Sequence, residues 1–416
     1  MTRFSTHDAI VIGAGPAGSS LALTLARCGW AVAILEKSVF PRRKVCGEYI
    51  SASNVVLLDR LEIGDAWRAT AGPEIRRVGF FSGEASVEAP MPHAAHGSSA
   101  KDGFGRALGR DHLDFLLLQA ARSAGAELFQ PYRAVAIERD GDIKSVRIET
   151  RDGNAGDTTT TLHAPVIVAA HGSWEPGPLP SQLEKVSRPS DLLGFKAHFT
   201  GSSLAPDLMP LLTFPGGYGG MVLADHGRLS VSCCIRHDML ACLRDKHWRG
   251  RDGPRHDSHV SAADAVSRHL TASCRGVRDA LEGAHLEGLW LAAGPIRPGI
   301  RSGYKDDIFR VGNAAGESHP IIAEGISMAL QSGWLLASEL KDAPRGKAGR
   351  EAVGRRYETA WRGLFSTRIH VAGGIARIAL GPGGPALMRT AVRNVPQALT
   401  WGAQLSGKTR RVPGFG

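Results

Sequence analysis

The run from Asp8 to Glu36 constrains this chain more than any other. Asp8-Ala9-Ile10-Val11-Ile12 is apolar and β-branched, which suits a parallel strand buried on both faces. Gly13-Ala14-Gly15-Pro16-Ala17-Gly18 follows, then a helix rich in Ala and Leu from Ser19 to Cys28. A second apolar strand, Ala31-Val32-Ala33-Ile34-Leu35, ends at Glu36. Each part has a job if the turn holds a dinucleotide. Gly13 permits the tight turn, Gly15 lets the backbone approach a pyrophosphate, and Gly18 lets helix and strand pack closely. The helix N-terminus offers free N–H groups and a positive dipole end to the phosphates. Glu36 stands 23 residues after Gly13, near the ~20 expected of an acid that grips a ribose hydroxyl.

Composition narrows the rest. A chain of 416 residues has room for two or three domains, or one large composite fold. With 43% hydrophobic and 22% charged residues it is neither disordered nor fibrous. No apolar run approaches the ~18–20 residues of a membrane span. Met1 to His7 is polar and leads straight into the first strand, so it does not read as a signal peptide. The 6 cysteines show no CxxC, and the 16 histidines show no HExxH or Cys/His spacing. The expectation is a reducing, cytoplasmic setting with no metal site and no disulfide framework. The formal charge is +10, yet residues 341–416 alone hold 14 Lys/Arg against 3 Asp/Glu. The rest of the chain is nearly neutral. Nucleic acid is not the expected partner, because no aromatic-interleaved basic motif or recognition fold accompanies this charge.

Further along, Phe309-Arg310-Val311-Gly312-Asn313-Ala314-Ala315-Gly316 reads as a strand and a Gly/Ala turn. His319-Pro320-Ile321-Ile322-Ala323-Glu324-Gly325-Ile326 then opens a helix that runs to Leu340. These residues closely resemble the second flavin motif of the para-hydroxybenzoate-hydroxylase-like flavoproteins, GDAA…P…GxG, or P…GEGI in the reductase-like branch. The group includes aromatic hydroxylases, geranylgeranyl reductases and flavin-dependent halogenases. Arg110-Asp111-His112-Leu113-Asp114 matches its RxxLD element. Pro41-Arg42-Arg43-Lys44-Val45-Cys46-Gly47-Glu48 resembles the PRxKxCGE/D segment of the geranylgeranyl-reductase-like branch. Pro215-Gly216-Gly217-Tyr218-Gly219-Gly220 resembles a GGYGG-type segment of the reductase-like members, with glycines that leave the backbone open to a ligand. The similarity spans most of residues 8–340.

The resemblance implies FAD and an α/β fold. A Rossmann-like FAD-binding domain (1–75, 101–184 and 296–340) would carry an inserted mixed β-sheet substrate domain (76–100 and 185–295). A linker at 341–349 would lead to a basic C-terminal helical region, 350–416. The cofactor-binding set it implies is Gly13, Gly15, Pro16, Ala17, Gly18, Glu36 and Lys37 at the first βαβ unit. Arg43 and Cys46 join from the next segment, then Arg110, Val135 and Gly172. Gly312, Asn313, Pro320, Gly325 and Ile326 complete it. His319, Cys46 and Tyr218 are the catalytic candidates, His319 because a pKa near 6.5 suits proton transfer.

Two residues depart from the group's pattern. Asn313 replaces an Asp, and His171 in Val166-Ile167-Val168-Ala169-Ala170-His171-Gly172 replaces the Asp of the hydroxylases' Asp-Gly motif. The second change argues against direct NADPH use in the manner of the single-component aromatic hydroxylases; the expected external donor is NAD(P)H or a partner flavin reductase. No WxWxIP run is present, which disfavours halogenation. The first functional expectation is an FAD-dependent monooxygenase acting on a hydrophobic or aromatic molecule of secondary or lipid metabolism. The alternative is a carbon–carbon double-bond reductase or dehydrogenase. A protein in which flavin is only structural is the third. In the tail, Val353, Tyr357, Trp361, Leu364, Phe365 and Ile369 recur at helical spacing. Gly373-Gly374 and Gly381 to Gly384 are expected to break the remainder into short helices. The basic residues there (among them Arg355, Arg356, Arg377, Arg389, Arg393, Lys408, Arg410 and Arg411) suit an anionic partner: a carrier protein, an acidic substrate or a membrane surface.

Overall fold

Burial on both faces is what the first apolar run achieves, and the first sheet is built around it. The computed structural model describes residues 7–94, 103–152, 156–174, 176–184, 186–249 and 260–410. Outside these lie residues 1–6, 95–100 of the 76–100 segment, 101–102, 153–155 and 175 of the 101–184 segment, 185 and 250–259 of the 185–295 segment, and residues 411–416. Six strands form the sheet: β1 (Ala9–Ile12), β2 (Val32–Leu35), β7 (Glu127–Phe129), β11 (Val166–Ala169), β18 (Tyr304–Lys305) and β19 (Ile308–Arg310). Their order is β18-β19-β11-β1-β2-β7, parallel except for β18. Side chains of β1 alternate between two cores, as the period of two requires. Ala9 and Val11 meet α1 (Pro16–Arg27), α4 (Arg110–Ser123) and α8 (Gly325–Leu340), with the short α2 (Val55–Arg60) and α3 (Gly64–Thr70) at the edge. Ile10 and Ile12 meet a meander of β8 (Arg133–Asp140), β9 (Ile143–Asp152) and β10 (Gly156–Ala164).

A second sheet has seven strands: β4 (Arg77–Ser82), β5 (Ala85–Pro90), β12 (Leu192–Thr200), β13 (Leu208–Phe214), β14 (Gly217–Leu223), β15 (Leu229–Arg236) and β16 (His285–Ile296). Their order is β16-β12-β15-β14-β13-β4-β5. Every pair is antiparallel except β13 with β4. The back face packs Phe81, Leu212, Met221, Val231 and Cys233 against α5 (His237–Arg249), α6 (Ala262–Ser273) and α7 (Arg275–Leu281). Cys234, one residue on, belongs to a different core on the front face. Two small ribbons, β3 (Tyr49–Ile50) with β6 (Arg106–Ala107) and β17 (Gly299–Ile300) with β20 (Gly316–Glu317), join the layers. The glycine-rich segment is part turn and part strand, and its Tyr218, Gly219 and Gly220 line the cavity between the sheets. Only Pro215 and Gly216 turn, Gly216 at φ +73°, and Gly217 to Gly220 lie in the interior of β14 between two strands.

The C-terminal region also differs from expectation. Helix α9 (Lys347–Leu380) is one element of 34 residues and runs straight through Gly373-Gly374. A mid-helix glycine costs about 1 kcal/mol relative to alanine. Burial of Ala372, Ala376 and Ala379 along the same stretch offsets that. The linker is shorter than 341–349, because the helix starts at Lys347 and Arg350, buried, pairs with Asp307 at 2.8 Å. Gly381 to Gly384 do break the chain. Helices α10 (Gly384–Asn394) and α11 (Gln397–Leu405) come next and pack beside β4 and β5.

The two sheets are tied at Glu48. It is 1% exposed and adopts φ +63°, a left-handed conformation unusual for a non-glycine residue. The fully buried Lys196 and His198 of β12 both reach its carboxylate, His198 Nε2–H donating at 2.7 Å. Glu48→Ala is expected to cost ~3–5 kcal/mol, because two cation-capable side chains lose a buried partner. Urea unfolding should show it, and Glu48→Ala/Lys196→Met should recover part of the loss.

Candidate functional site

A cavity of about 830 Å³ runs between the sheets and under the C-terminal helices. At one end is the first βαβ turn. Gly13 sits at φ +111°, and a Cβ there would lie 2.6 Å from the Ala170 carbonyl oxygen. A Cβ on Gly18 would lie 2.0 Å from the Gly13 oxygen, so Gly18 is a packing glycine. A Cβ on Gly15 would point into open space, with only Arg110 at 3.8 Å. Pro16 at the first position of α1 preorganises its N-terminus. Glu36 is buried, accepting from the Ala14 N–H at 3.1 Å and the Ser38 N–H at 3.0 Å.

Cations crowd this end. Lys37, Arg42, Arg43, Lys44 and Arg110 all line the cavity. Arg110 is held by Asp114 through two hydrogen bonds of 2.6 Å, and Asp114 also accepts from Arg42. Burial, followed by the charges of Arg42 and Arg110, lowers the Lys44 pKa to about 8. The Nε–H groups of Arg42 and Arg43 are buried without a hydrogen-bond partner among the described residues. Unpaired guanidinium N–H groups and a bare glycine turn fit an anionic dinucleotide.

The Arg42–Glu48 segment crosses the front face of the second sheet. Arg43 donates to His198 Nδ1 at 2.8 Å and to the Glu287 carbonyl at 3.1 Å. Because arginine only donates, Nδ1 accepts, and the His198 proton resides on Nε2, facing Glu48. Burial raises the Glu48 pKa, but the His198 hydrogen bond and the Lys196 charge outweigh it and bring it to about 2. Glu48 also accepts from the Arg110 backbone N–H at 3.0 Å. Glu48, Lys196 and His198 were not among the residues picked out from sequence. The only signal was an acid at the end of the PRxKxCGE-like run, since its partner His198 lies 150 residues away.

A second buried acid explains Asn313. Glu317, 3% exposed, accepts from Ser173 Oγ at 2.7 Å, Trp174 Nε1 at 2.7 Å and Asn313 Nδ2 at 3.1 Å. A carboxylate at position 313 would face that of Glu317, so an amide donor suits the site. His171 turns away from this acid. Its Nδ1–H donates to the Gly172 carbonyl at 2.8 Å, and Nε2 accepts from Ser181 at 2.8 Å. Burial lowers its pKa to about 4, so it is neutral.

Gly13, Gly15, Pro16, Ala17, Glu36, Lys37, Arg43, Cys46 and Arg110 line this one cavity. So do Gly172, Tyr218, Gly312, Asn313, Pro320, Gly325 and Ile326. Gly18, Val135 and His319 are not in its wall. Val135 is the bulged residue where β8 slips register against β9, and its neighbours Arg133 and Ala134 reach the cavity instead. His319 stands behind Tyr218, whose hydroxyl meets its Nδ1 at 3.2 Å. Burial, then the charge of Arg377, lowers the His319 pKa to about 4. Burial keeps the Tyr218 phenol protonated, with a pKa well above 10. Glu324 precedes α8 without capping it: its carboxylate accepts instead from Ser51 at 3.2 Å and Lys408 at 3.0 Å. His112, Asp225 and His226 gather within metal-ligand distance, but the Asp225 carboxylate is already engaged by Arg228 and the Gly109 N–H.

Comparison with known proteins bears on this geometry. Residues 6–182 match the family model of the FAD binding domain. Menaquinone reductase of Mycobacterium tuberculosis is 31% identical over 180 residues, 42% of this chain and 40% of that protein, so the match spans less than half of either. Digeranylgeranylglycerophospholipid reductase 2 of Methanopyrus kandleri is 26% identical, covering 86% of this chain and 83% of that one. The myxobacterial chondrochloren halogenase shares the fold, with a TM-score of 0.74 at 18% identity, over 98% of this chain and 92% of the halogenase. The likeness to the halogenase shows that the whole chain shares the fold of a flavin-dependent enzyme, and the matched domain gives FAD as the cofactor. The cationic end would hold its pyrophosphate, Glu36 its ribose and the start of α8 its flavin.

Two outcomes are expected. Lys44→Met should weaken FAD binding about tenfold or more at neutral pH, by fluorescence titration, because a charge-assisted contact is lost. In the unmodified protein affinity should fall as pH rises past about 8 and Lys44 loses its charge. For His171 the folded pKa of about 4 lies below the ordinary 6.5, so the unfolded chain protonates first as pH falls. Its stabilising contribution is complete above pH 6.5 and is lost towards pH 4, at ~1.4 kcal/mol per pH unit. The thermal midpoint should drop over that window, and His171→Gln should drop less steeply.

Proposed function

We propose that this chain catalyses the flavin-dependent reduction of a carbon–carbon double bond in a long lipophilic molecule. The carrying observation is the far end of the cavity. There Ile321, Ile322, Ile375, Met388, Val392 and Leu399 form an aliphatic lining continuous with the FAD end. Such a lining holds an extended hydrocarbon by area burial, and the polar side chains beside it, Ser406 and Lys408, are already engaged by the Ala403 and Ile322 carbonyls and by Glu324. Bound FAD, once reduced by an external two-electron donor, would supply the hydride for such a reduction.

The chain's own task is to place the double bond and provide the proton. Tyr218 is suited to the second. It lines the cavity, retains its proton at every physiological pH, and contacts His319, which is half-buried and neutral. Tyr218 would donate to the carbon left electron-rich, and solvent would restore the proton through His319. Cys46 lines the same wall near Arg110 and would shape the pocket. The PRRKVCGE and AEGI segments, and the relatives named as reductases, support this order of preference over oxygenation. Oxygenation is the second reading, favoured by the same apolar enclosure, since excluding water serves that chemistry as well.

Loading the protein with FAD, photoreducing it under nitrogen and adding geranylgeraniol tests the first reading. Re-oxidation of the flavin, with a saturated product by mass spectrometry, is expected. No re-oxidation under nitrogen, with oxygen incorporated into the alkene once air is admitted, would overturn it. Tyr218→Phe should slow turnover about 10²-fold or more while leaving substrate affinity in place.

A further inference from the structure

We propose that the outer surface of α10, α11 and the end of α9 docks on an anionic lipid bilayer, from which the substrate enters the cavity. The inference rests on the lipophilic-substrate reading above and adds the route. Three observations carry it. First, among the described residues eleven large hydrophobic side chains are exposed, and five fall between positions 378 and 405. They are Ile378, Leu387, Val395, Trp401 and Leu405, with Trp401 55% and Leu405 63% exposed. Trp401 and Leu405 lie one turn apart on α11, and an exposed Trp with a polar nitrogen and an apolar ring suits the headgroup boundary.

Second, the charge is one-sided. From residue 359 to the end the sequence has eight Lys/Arg and no Asp or Glu. Some of the tail's cations are internal: Lys408 is buried against Glu324, and Arg368 is 1% exposed and donates to Gln331. Arg377, Arg389 and Arg393 form no ion pair among the described residues and sit beside the exposed apolar side chains on α9 and α10. Like-charged residues around an apolar patch repel a second copy of this chain and attract an anionic interface.

Third, the same helices form the cavity wall. Ile375, Met388, Val392, Leu399 and Ala403 face inward from α9, α10 and α11. One helix layer thus separates the bilayer-facing side from the aliphatic end of the cavity. A hydrocarbon passing between α10 and α11 would not cross water. No helix of the described residues is long and apolar enough to span a membrane, so the contact is interfacial.

Co-sedimentation of the FAD-loaded full chain with vesicles tests this without relying on turnover. Binding is expected to vesicles containing about one-third phosphatidylglycerol, to weaken with salt, and to be far lower on pure phosphatidylcholine. Arg377→Gln/Arg389→Gln/Arg393→Gln should weaken binding about 10²-fold. Trp401→Gln/Leu405→Gln should also release the protein, while both variants keep their FAD. Equal binding to neutral and anionic vesicles, or binding untouched by either variant, overturns the proposal. Capture by a purified acidic acyl carrier protein with no vesicle binding assigns the surface to a protein partner and overturns it too. If the reduction reading fails and vesicle binding persists, the surface stands and only the cargo changes.

Discussion

A carboxylate away from water persists only where donors surround it, and Glu48 meets that condition with groups from three parts of the chain. Lys196 and His198 come from the second sheet, and the Arg110 N–H comes from the start of α4. Glu48 sits in a strained backbone conformation that the surrounding contacts must hold. The consequence reaches beyond one ion pair. The clamp presses the Arg42–Glu48 segment onto β12, which puts Arg42, Arg43, Lys44 and Cys46 into the cavity wall. It also orients the start of α4, where Arg110 leans over Gly15. The cationic end of the cavity and the second sheet therefore share one floor.

The remaining electrostatics divide along the cavity. Five cations stand at the end with the glycine turn, where burial, and after it the charges of Arg42 and Arg110, depresses the Lys44 pKa. On the other side Glu317 organises Ser173, Trp174 and Asn313 through direct hydrogen bonds. The acid expected at position 313 is found four residues later, and its neighbours have become donors. The half-buried His171 and His319 stay neutral for the same reason, desolvation, and His319 backs the cavity-lining phenol of Tyr218.

The basic tail has two populations. Arg350, Arg368 and Lys408 are internal and fasten the long helix and the last turn to the flavin-side core. Arg377, Arg389 and Arg393 accompany exposed apolar residues instead. A count of charges treats these alike, although the first group is spent inside the fold.

The sequence by itself determined the parts whose physics is local. Strand periodicity, the spacing of Gly13, Gly15, Gly18 and Glu36, and the strand–turn–helix at 309–340 are all written in consecutive residues. They sufficed for the FAD-binding fold and for most of the residues that line one end of the cavity. It missed the single span of α9, because buried alanines on a neighbouring face outweigh what Gly373-Gly374 would do alone. Pairing with β13 and β15 makes Gly217 to Gly220 part of a central strand, whose face still leaves Gly219 and Gly220 open to the cavity. Tertiary structure alone decided the Glu48–Lys196–His198 clamp, the Glu317 hub and the burial of Lys408. Each joins residues far apart in sequence, and only folding removes the water that would otherwise satisfy them separately.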